Sequence, residues 1–388
     1  MAVRRPGSEL REQFLLQRDV VFLNHGSYGA CPKPVFETYQ RWQRELELQP
    51  VAFFRRAADL LADARAALGR YLGAGADDLV FVTNATTGLN IVARSLRLRP
   101  GDQVLATDHE YGAADRTWQF LCERAGAQYV KARVPVPVES AQQIVDAIWA
   151  RVTPRTRVLF LSHITAPTAL IMPVEELVRR ARGAGLVTVI DGAHAPGQIA
   201  VDLEAIGADF YAGNCHKWMC APKGSGFLYA RRDVQVLLEP LIVSWGWRPE
   251  KPGPSRFIDE HQWQGTRDLA AFLSVPAAID FLRANDWDVT RRWCHAVARS
   301  TREAINRATG LPALCPDGDG WFGQMASALL PACDADAFAR RLREEFGVEA
   351  PVFQWNGRQV LRFSIQGYNS EADAATLAAA VTTLVRAA

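Results

Sequence analysis

Apolar residues along this chain gather into short runs separated by longer stretches of helical period. Leu79–Thr83, Gln103–Thr107, Gln128–Val134, Val158–Ser162, Val187–Ile190, Phe210–Ala212 and Gly226–Ala230 are rich in Val, Leu, Ile and Phe with little polar alternation. Such runs predict strands buried on both faces. Helical periodicity marks Ala57–Tyr71 before the first strand, then Thr86–Leu96, Ala114–Ala125, Ala141–Val152 and Val174–Gly183. Pro100-Gly101, Gly126 and Gly185 stand where turns are needed. Alternation of this kind predicts an α/β fold whose large domain has a mostly parallel sheet of seven strands covered on both sides.

After about residue 240 the pattern changes. SWGWRPEKPGPSRF, crowded with Gly, Pro and Trp, reads as a long loop. Helical stretches follow at Ala271–Ala284 and Val289–Ala308, then strand-like runs at Ala326–Leu330, Val348–Val352 and Val360–Ile365, and a closing alanine-rich helix at Ala372–Arg386. The expected organisation is an N-terminal segment, residues 1–20, packed on a smaller α+β C-terminal domain of residues 256–388, with residues 21–255 forming the large domain.

Composition narrows the function classes. Of 388 residues, 49% are hydrophobic and 22% charged, which suits a chain that buries a sizeable core. The net charge is only +2 and no basic stripe stands out, so neither nucleic acid nor an anionic membrane is an expected partner. The seven cysteines are odd in number, scattered, and form no CxxC pair or metal-binding cluster with histidine. They read as thiols in a reducing compartment. No uncharged apolar run is long enough to span a membrane, and the start, MAVRRPGSELREQF, has no apolar core of a targeting signal. A cytoplasmic protein is expected.

In an open parallel sheet, ligands bind beyond the carboxyl ends of the strands. Polar residues cluster at those ends here. The first strand is followed by Asn84-Ala85-Thr86-Thr87-Gly88, the second by Asp108-His109-Glu110-Tyr111, the fourth by His163-Ile164-Thr165. The fifth ends in Asp191-Gly192-Ala193-His194 and the sixth leads to Asn214-Cys215-His216-Lys217. Taken singly each has a bland role: Thr86 as a helix N-cap, Asp191 as a turn residue, His194 and His216 as structural histidines, Lys217 as a solvated surface lysine. Together they put charge beside buried strands, which is unfavourable unless a ligand uses it. Thr86, Thr87 and Gly88 at a helix start suit a phosphate. Asp191 suits a protonated pyridine nitrogen, Tyr111 a flat ring, and the Lys217 amine an aldehyde. Pyridoxal phosphate asks for all four. A nucleotide-binding protein would want GxGxxG or GxxxxGK[ST] after the first strand, and neither is there.

At VIDGAHAPG (189–197) and ADFYAGNCHKWMCAPKGSGFLY (208–229) the chain resembles the class V aminotransferase family of fold-type I pyridoxal-phosphate enzymes. FLNHGSYGACP (22–32) and DHEYGA (108–113) resemble its isopenicillin N epimerase-like subgroup, which spans epimerases and carbon–sulfur lyases. The resemblance implies that Lys217 holds the cofactor as a Schiff base, Asp191 pairs with the ring nitrogen and His194 bonds the phenolic oxygen. It implies Tyr111 as the stacking aromatic, and Thr86, Asn214 and His216 around the phosphate. His163 stands where the family's desulfurases carry an asparagine and is expected to face the cofactor. Thr266, in QGTRD, matches a position that reaches the phosphate of a neighbouring subunit, so a homodimer with shared active sites is implied. Arg362, in LRFSIQGYN, matches the arginine that clamps a substrate α-carboxylate, and Asn24 and His25 are expected at the substrate.

One departure bears on the reaction. Desulfurases of the family carry a cysteine shortly before that arginine, and this chain has none from residue 334 onward. Deprotonation at Cα of an amino acid can end in β-elimination, epimerisation or transamination, and all three share the residues above. The expectation is β-elimination from a cysteine-derived substrate, narrowly ahead of epimerisation, with an aminotransferase as the third reading. A pyridoxal-phosphate-binding regulator would need an added interaction module, for which the pattern leaves no segment. Trp245, Trp247, Trp263 and Trp355 are candidates for the entrance, pointing to an apolar or cationic side chain.

Overall fold

The computed structural model describes residues 6–387. Residues 1–5 of the expected N-terminal segment lie outside the described residues. Its centre is a seven-stranded sheet of β1 (Leu79–Val82), β2 (Gln103–Thr107), β3 (Gln128–Ala132), β4 (Thr156–Ser162), β5 (Val187–Gly192), β6 (Phe210–Asn214) and β7 (Gly226–Ala230), in the order β1-β7-β6-β5-β4-β2-β3. Only β7 runs against its neighbours β1 and β6; the pairs from β6 through β3 are parallel. The carboxyl ends of the other six strands therefore share one edge.

Successive strand residues feed different cores, as the period of two requires. Leu105, Leu159, Leu161, Ile190, Tyr211 and Phe227 pack on one face. Val104, Ala106, Val158, Phe160, Val189 and Phe210 pack on the other. Burial on both sides is why the strands lack polar alternation.

The second part of the chain holds an antiparallel sheet of β8 (Met325–Leu330), β9 (Val352–Trp355) and β10 (Arg358–Ser364), in the order β9-β10-β8. Helices Trp287–Thr309, Ala335–Phe346 and Glu371–Arg386 pack about it. The N-terminal residues dock here: Gly7 N–H donates to Gly367 O at 2.8 Å, and the Phe14 ring meets Phe281 and Tyr368 edge-on. Val21–Phe22 pairs in parallel with Val348–Glu349. The expected single strand Val348–Val352 is thus two, split before Pro351, where a missing N–H prevents a continuous ladder.

Two helices of more than ten residues went unread in the sequence, as did several short ones such as Arg256–Gln262. Lys33–Leu48 buries only Val35 fully, and Ala335–Phe346 only Phe338 and Leu342, so their apolar stripes are thin. The helix expected at Ala271–Ala284 is broken at Ser274, ahead of Pro276, into Ala270–Leu273 and Val275–Ala284. No helix among the described residues is long and apolar enough to cross a membrane.

Candidate active site

A cavity of about 220 Å3 opens at the shared carboxyl edge. Asp191, at the end of β5, enters it from the middle of the sheet, and is only 3% exposed. One carboxylate oxygen accepts the Ala193 N–H at 2.9 Å, while the other accepts no hydrogen bond among the described residues. Burial pushes this carboxyl up, opposed by that N–H and by the Lys217 charge.

Lys217 follows β6 and lies in the same cavity, its Nζ 3.2 Å from His194 Nε2. Burial first, then the Arg362 charge, lower its pKa to about 7, against the attraction of Asp191. An amine near neutrality is a usable nucleophile and base. Close packing helps to hold its backbone. Gly29 has φ +69°, and a Cβ there would stand 2.0 Å from His216 O. Only glycine lets the loop after residue 24 lie against the His216–Lys217 peptide. Lys223, the other lysine nearby, is exposed and donates to Gly29 O at 3.1 Å.

The helix Ala85–Ser95 begins at the same edge. Asn84 caps it by accepting the Thr87 N–H at 2.9 Å, and Asn214 Oδ1 accepts the Ala85 N–H at 2.8 Å. The Thr86 N–H and hydroxyl are left without an acceptor among the described residues, and Thr86 lines the cavity. His216 Nδ1 is 2.9 Å from Ser225 O, to which it donates, so Nε2 is available. Burial lowers its pKa to about 4. An anion beside it would draw the proton back.

Arg362 projects from β10 to the wall of the cavity. It is 9% exposed, its Nη1 donating to Ala166 O at 2.7 Å and its Nη2 to Ser27 Oγ at 3.1 Å. Its Nε has no partner, and no carboxylate among the described residues lies within ion-pair distance. A buried guanidinium without an anion is rare unless a ligand supplies one. Tyr111, 48% exposed, lines the cavity, and its hydroxyl makes no hydrogen bond among the described residues.

Other expected residues lie elsewhere. His163 turns away, its Nδ1 2.9 Å from the Tyr211 hydroxyl. Ser162 and Ile164, its neighbours on alternate sides, line the cavity instead. Thr87 spends its hydroxyl on Thr83 and Asn84. His25 is fully buried, with Nδ1 3.1 Å from the Tyr368 hydroxyl and Nε2 3.0 Å from Lys217 O; it braces the lysine from behind. Asn24 accepts from Ser27 Oγ, so the N-terminal motif brings Ser27 and Tyr28 to the cavity rather than Asn24 and His25. Thr266 is exposed and does not line this cavity. None of the four tryptophans does: Trp245 and Trp263 border a separate groove with Phe54, Trp247 lies in the exposed loop, and Trp355 packs on His109 and donates to Asp108 O at 2.9 Å. Glu110, which the sequence did not single out, sits behind the wall and accepts from Thr107 Oγ1, Ser162 N–H and Ser162 Oγ.

The sequence model of the family described as Aminotransferase class-V matches residues 32–377. The chain belongs to the class-V aminotransferase family. Among relatives, isopenicillin N epimerase of Amycolatopsis lactamdurans is 37% identical over 385 residues, covering 96% of each chain. L-cysteine desulfhydrase of Arabidopsis thaliana is 30% identical, over 95% of this chain and 89% of that protein. In architecture the chain is similar to apo cysteine desulfurase of Thermococcus onnurineus NA1, with a TM-score of 0.85 at 21% identity over 100% of both chains. At that identity the likeness is one of fold.

As a class-V aminotransferase family member the protein is a pyridoxal-phosphate enzyme of fold type I. The cavity fits that cofactor. Lys217 offers an amine near neutrality, Asp191 an unengaged carboxylate oxygen, and the Thr86 N–H and hydroxyl with His216 Nε2 an anion site at a helix start. The strand order β6-β5-β4-β2 sets Lys217 and Tyr111 on opposite flanks of Asp191.

Proposed function

We propose that the protein is a carbon–sulfur lyase that takes the α-proton from a cysteine-derived L-amino acid and expels the β-sulfur as a thiol, leaving 2-aminoacrylate that, once released, takes up one water to give pyruvate and ammonia. One observation carries this reading: an amine of pKa about 7 lines the cavity, an anion-free guanidinium stands at its wall on Ala166 and Ser27, and no thiol among the described residues lines it. Cys215 and Cys220 are buried behind the lysine loop, and burial pushes both thiols up. Without a thiolate to accept it, sulfur leaves with the product.

Bound pyridoxal phosphate supplies an electron sink for the bonds at Cα. Arg362 binds the substrate carboxylate through its Nη atoms and so orients Cα. Lys217 Nζ, once free, removes the α-proton and can carry it to the departing sulfur. Asp191 keeps the ring nitrogen protonated, and Thr86, Asn214 and His216 hold the phosphate end. The cavity wall, closed by Ile164 and Ala166, limits water at Cα.

A second reading, epimerisation, has one observation of its own. Tyr111 presents an unengaged hydroxyl on the flank opposite Lys217, where a second proton carrier would stand. The enzyme works as a homodimer in this reading, with the exposed Thr266 serving a neighbour's site, and in the cytoplasm, where its seven free cysteines stay reduced. The test is to incubate holoenzyme with S-substituted L-cysteines in deuterium oxide. Pyruvate and ammonia support the lyase. Intact, α-deuterated substrate of inverted configuration replaces it with the epimerase, and a keto acid retaining its side chain with transamination.

A further inference from the structure

His194 has two ring nitrogens and, when neutral, one proton to place. Burial first, then the neighbouring Lys217 and Arg362, lower its pKa well below the usual value and keep it neutral. Trp218, fully buried directly after the lysine, sets its indole Nε1 3.2 Å from His194 Nδ1. An indole N–H only donates, so Nδ1 must accept and the proton sits on Nε2. That nitrogen lies 3.2 Å from Lys217 Nζ, which can accept from it only as an uncharged amine.

The neighbouring histidine shows what a different partner does. His216 Nδ1 faces a carbonyl, Ser225 O, so its proton is on Nδ1 and Nε2 is bare. One cavity thus holds two neutral histidines in opposite tautomers, each fixed by its outer partner. The indole has no freedom to change this. Its ring packs with Ile164, Ala169, Ala195 and Met325 and lies 5.0 Å from the His25 ring. A Cβ on Gly26 would stand 3.4 Å from the indole Cζ2, and Gly197 lies against the residue's backbone, where a Cβ would meet the Trp218 carbonyl at 2.4 Å.

We propose that Trp218 is a positioning residue that locks His194 as the Nε2–H tautomer, making the imidazole a permanent hydrogen-bond donor at the Lys217 side of the cofactor site. The inference rests on the reading that Lys217 carries pyridoxal phosphate and His194 meets its phenolic oxygen. An amide side chain at position 194 would present an N–H without any tautomer to fix, and this gives the test.

Holoenzyme is prepared as wild type, Trp218→Phe, His194→Gln and the double variant, and the absorbance of the bound cofactor is titrated with pH. In the wild-type background Trp218→Phe should move the midpoint by about 1 pH unit or more, the scale of a hydrogen bond to a charged atom. In the His194→Gln background it should leave the midpoint where it was. Equal shifts in both backgrounds, or none in either, overturn the proposal. Nitrogen-15 spectra of histidine-labelled wild-type holoenzyme, assigned by the signal lost in His194→Gln, give a direct reading even if Trp218→Phe does not fold. A protonated Nδ1 overturns the proposal, and an unprotonated one upholds it. Borohydride fixation keeps the two ideas apart. No adduct on Lys217 removes the cofactor reading, while the nitrogen spectrum still decides the tautomer.

Discussion

Arg362→Gln separates binding from stability, because the guanidinium it removes helps one and harms the other. In the free protein Arg362 is a buried cation whose two Nη atoms meet only the neutral Ala166 carbonyl and Ser27 hydroxyl, with Nε unpaired. Burial lowers its pKa to about 10, so it stays charged at neutral pH. Two neutral acceptors do not offset the desolvation of a guanidinium. Glutamine can reach toward the same acceptors without the charge. Substrate binding loses a charge-assisted pair at a buried site, on the order of 2–4 kcal/mol, or roughly 30- to 1,000-fold in kcat/KM. The melting temperature without substrate should hold or rise. Arg362 is also the largest charge depressing Lys217, so the lysine pKa should climb from about 7 in the variant. The assay is kcat/KM for an amino acid against the matching amine without a carboxylate, beside a thermal melt. An equal loss for both compounds, or a lower melting temperature with kcat/KM intact, would refute the assigned role.

Borohydride treatment of the holoenzyme should fix the cofactor on Lys217, and peptide mapping that finds it on Lys223 would overturn the assignment. Capture of pyridoxal phosphate by the apoenzyme should slow about tenfold per unit as pH falls below about 7, where Lys217 protonates; a rate still climbing toward pH 10 would mean an ordinary lysine. Asp191→Asn should retain the fold and some cofactor yet lose about two to three orders of magnitude in kcat, and near-normal turnover would contradict its role. Gly29→Ala should lose roughly 2–5 kcal/mol of stability through the +69° φ and the 2.0 Å approach to His216 O, measured by denaturant melts. Light scattering at micromolar concentration should give a dimer, and a fully active monomer would take Thr266 out of the site.

What could be read from the sequence follows from where the constraints are local. Buried parallel strands announce themselves by apolar runs, and a strand's end fixes where its next residues lie, so Asp191, Asn214, Thr86 and Lys217 were legible before any fold was known. The errors came where one residue of parity matters. Ser162 pairs with Asp191 across parallel strands, and both line the cavity, so His163 must point to the opposite face. That inference was available once the register was known, but a polar residue after a strand drew attention by type rather than by side. The NHGS segment failed for a related reason. Its resemblance to the family motif pointed to the site, yet which of its residues faces inward is set by contacts with Lys217, Ser364 and Tyr368, far along the chain.

Trp218 was illegible for a deeper reason. In HKWMCAP it reads as one more apolar residue, and packing among Ile164, Ala169 and Met325 is indeed most of what its ring does. Its functional content is one N–H, directed at one nitrogen of a histidine 24 positions away. Periodicity registers burial and motif registers identity, but neither registers the direction of a donor. A donor-only group against a two-state ring converts a packing residue into a choice of tautomer, and that choice determines whether His194 gives or takes a hydrogen bond beside Lys217. The same logic makes the substitution pattern specific. Where position 194 is an amide, the tryptophan's N–H has nothing to choose and position 218 is free to be any well-packed apolar residue. Where it is histidine, position 218 must donate. Replacing Trp218 should therefore be tolerated for stability about as well in either background, and differ only in the cofactor's titration.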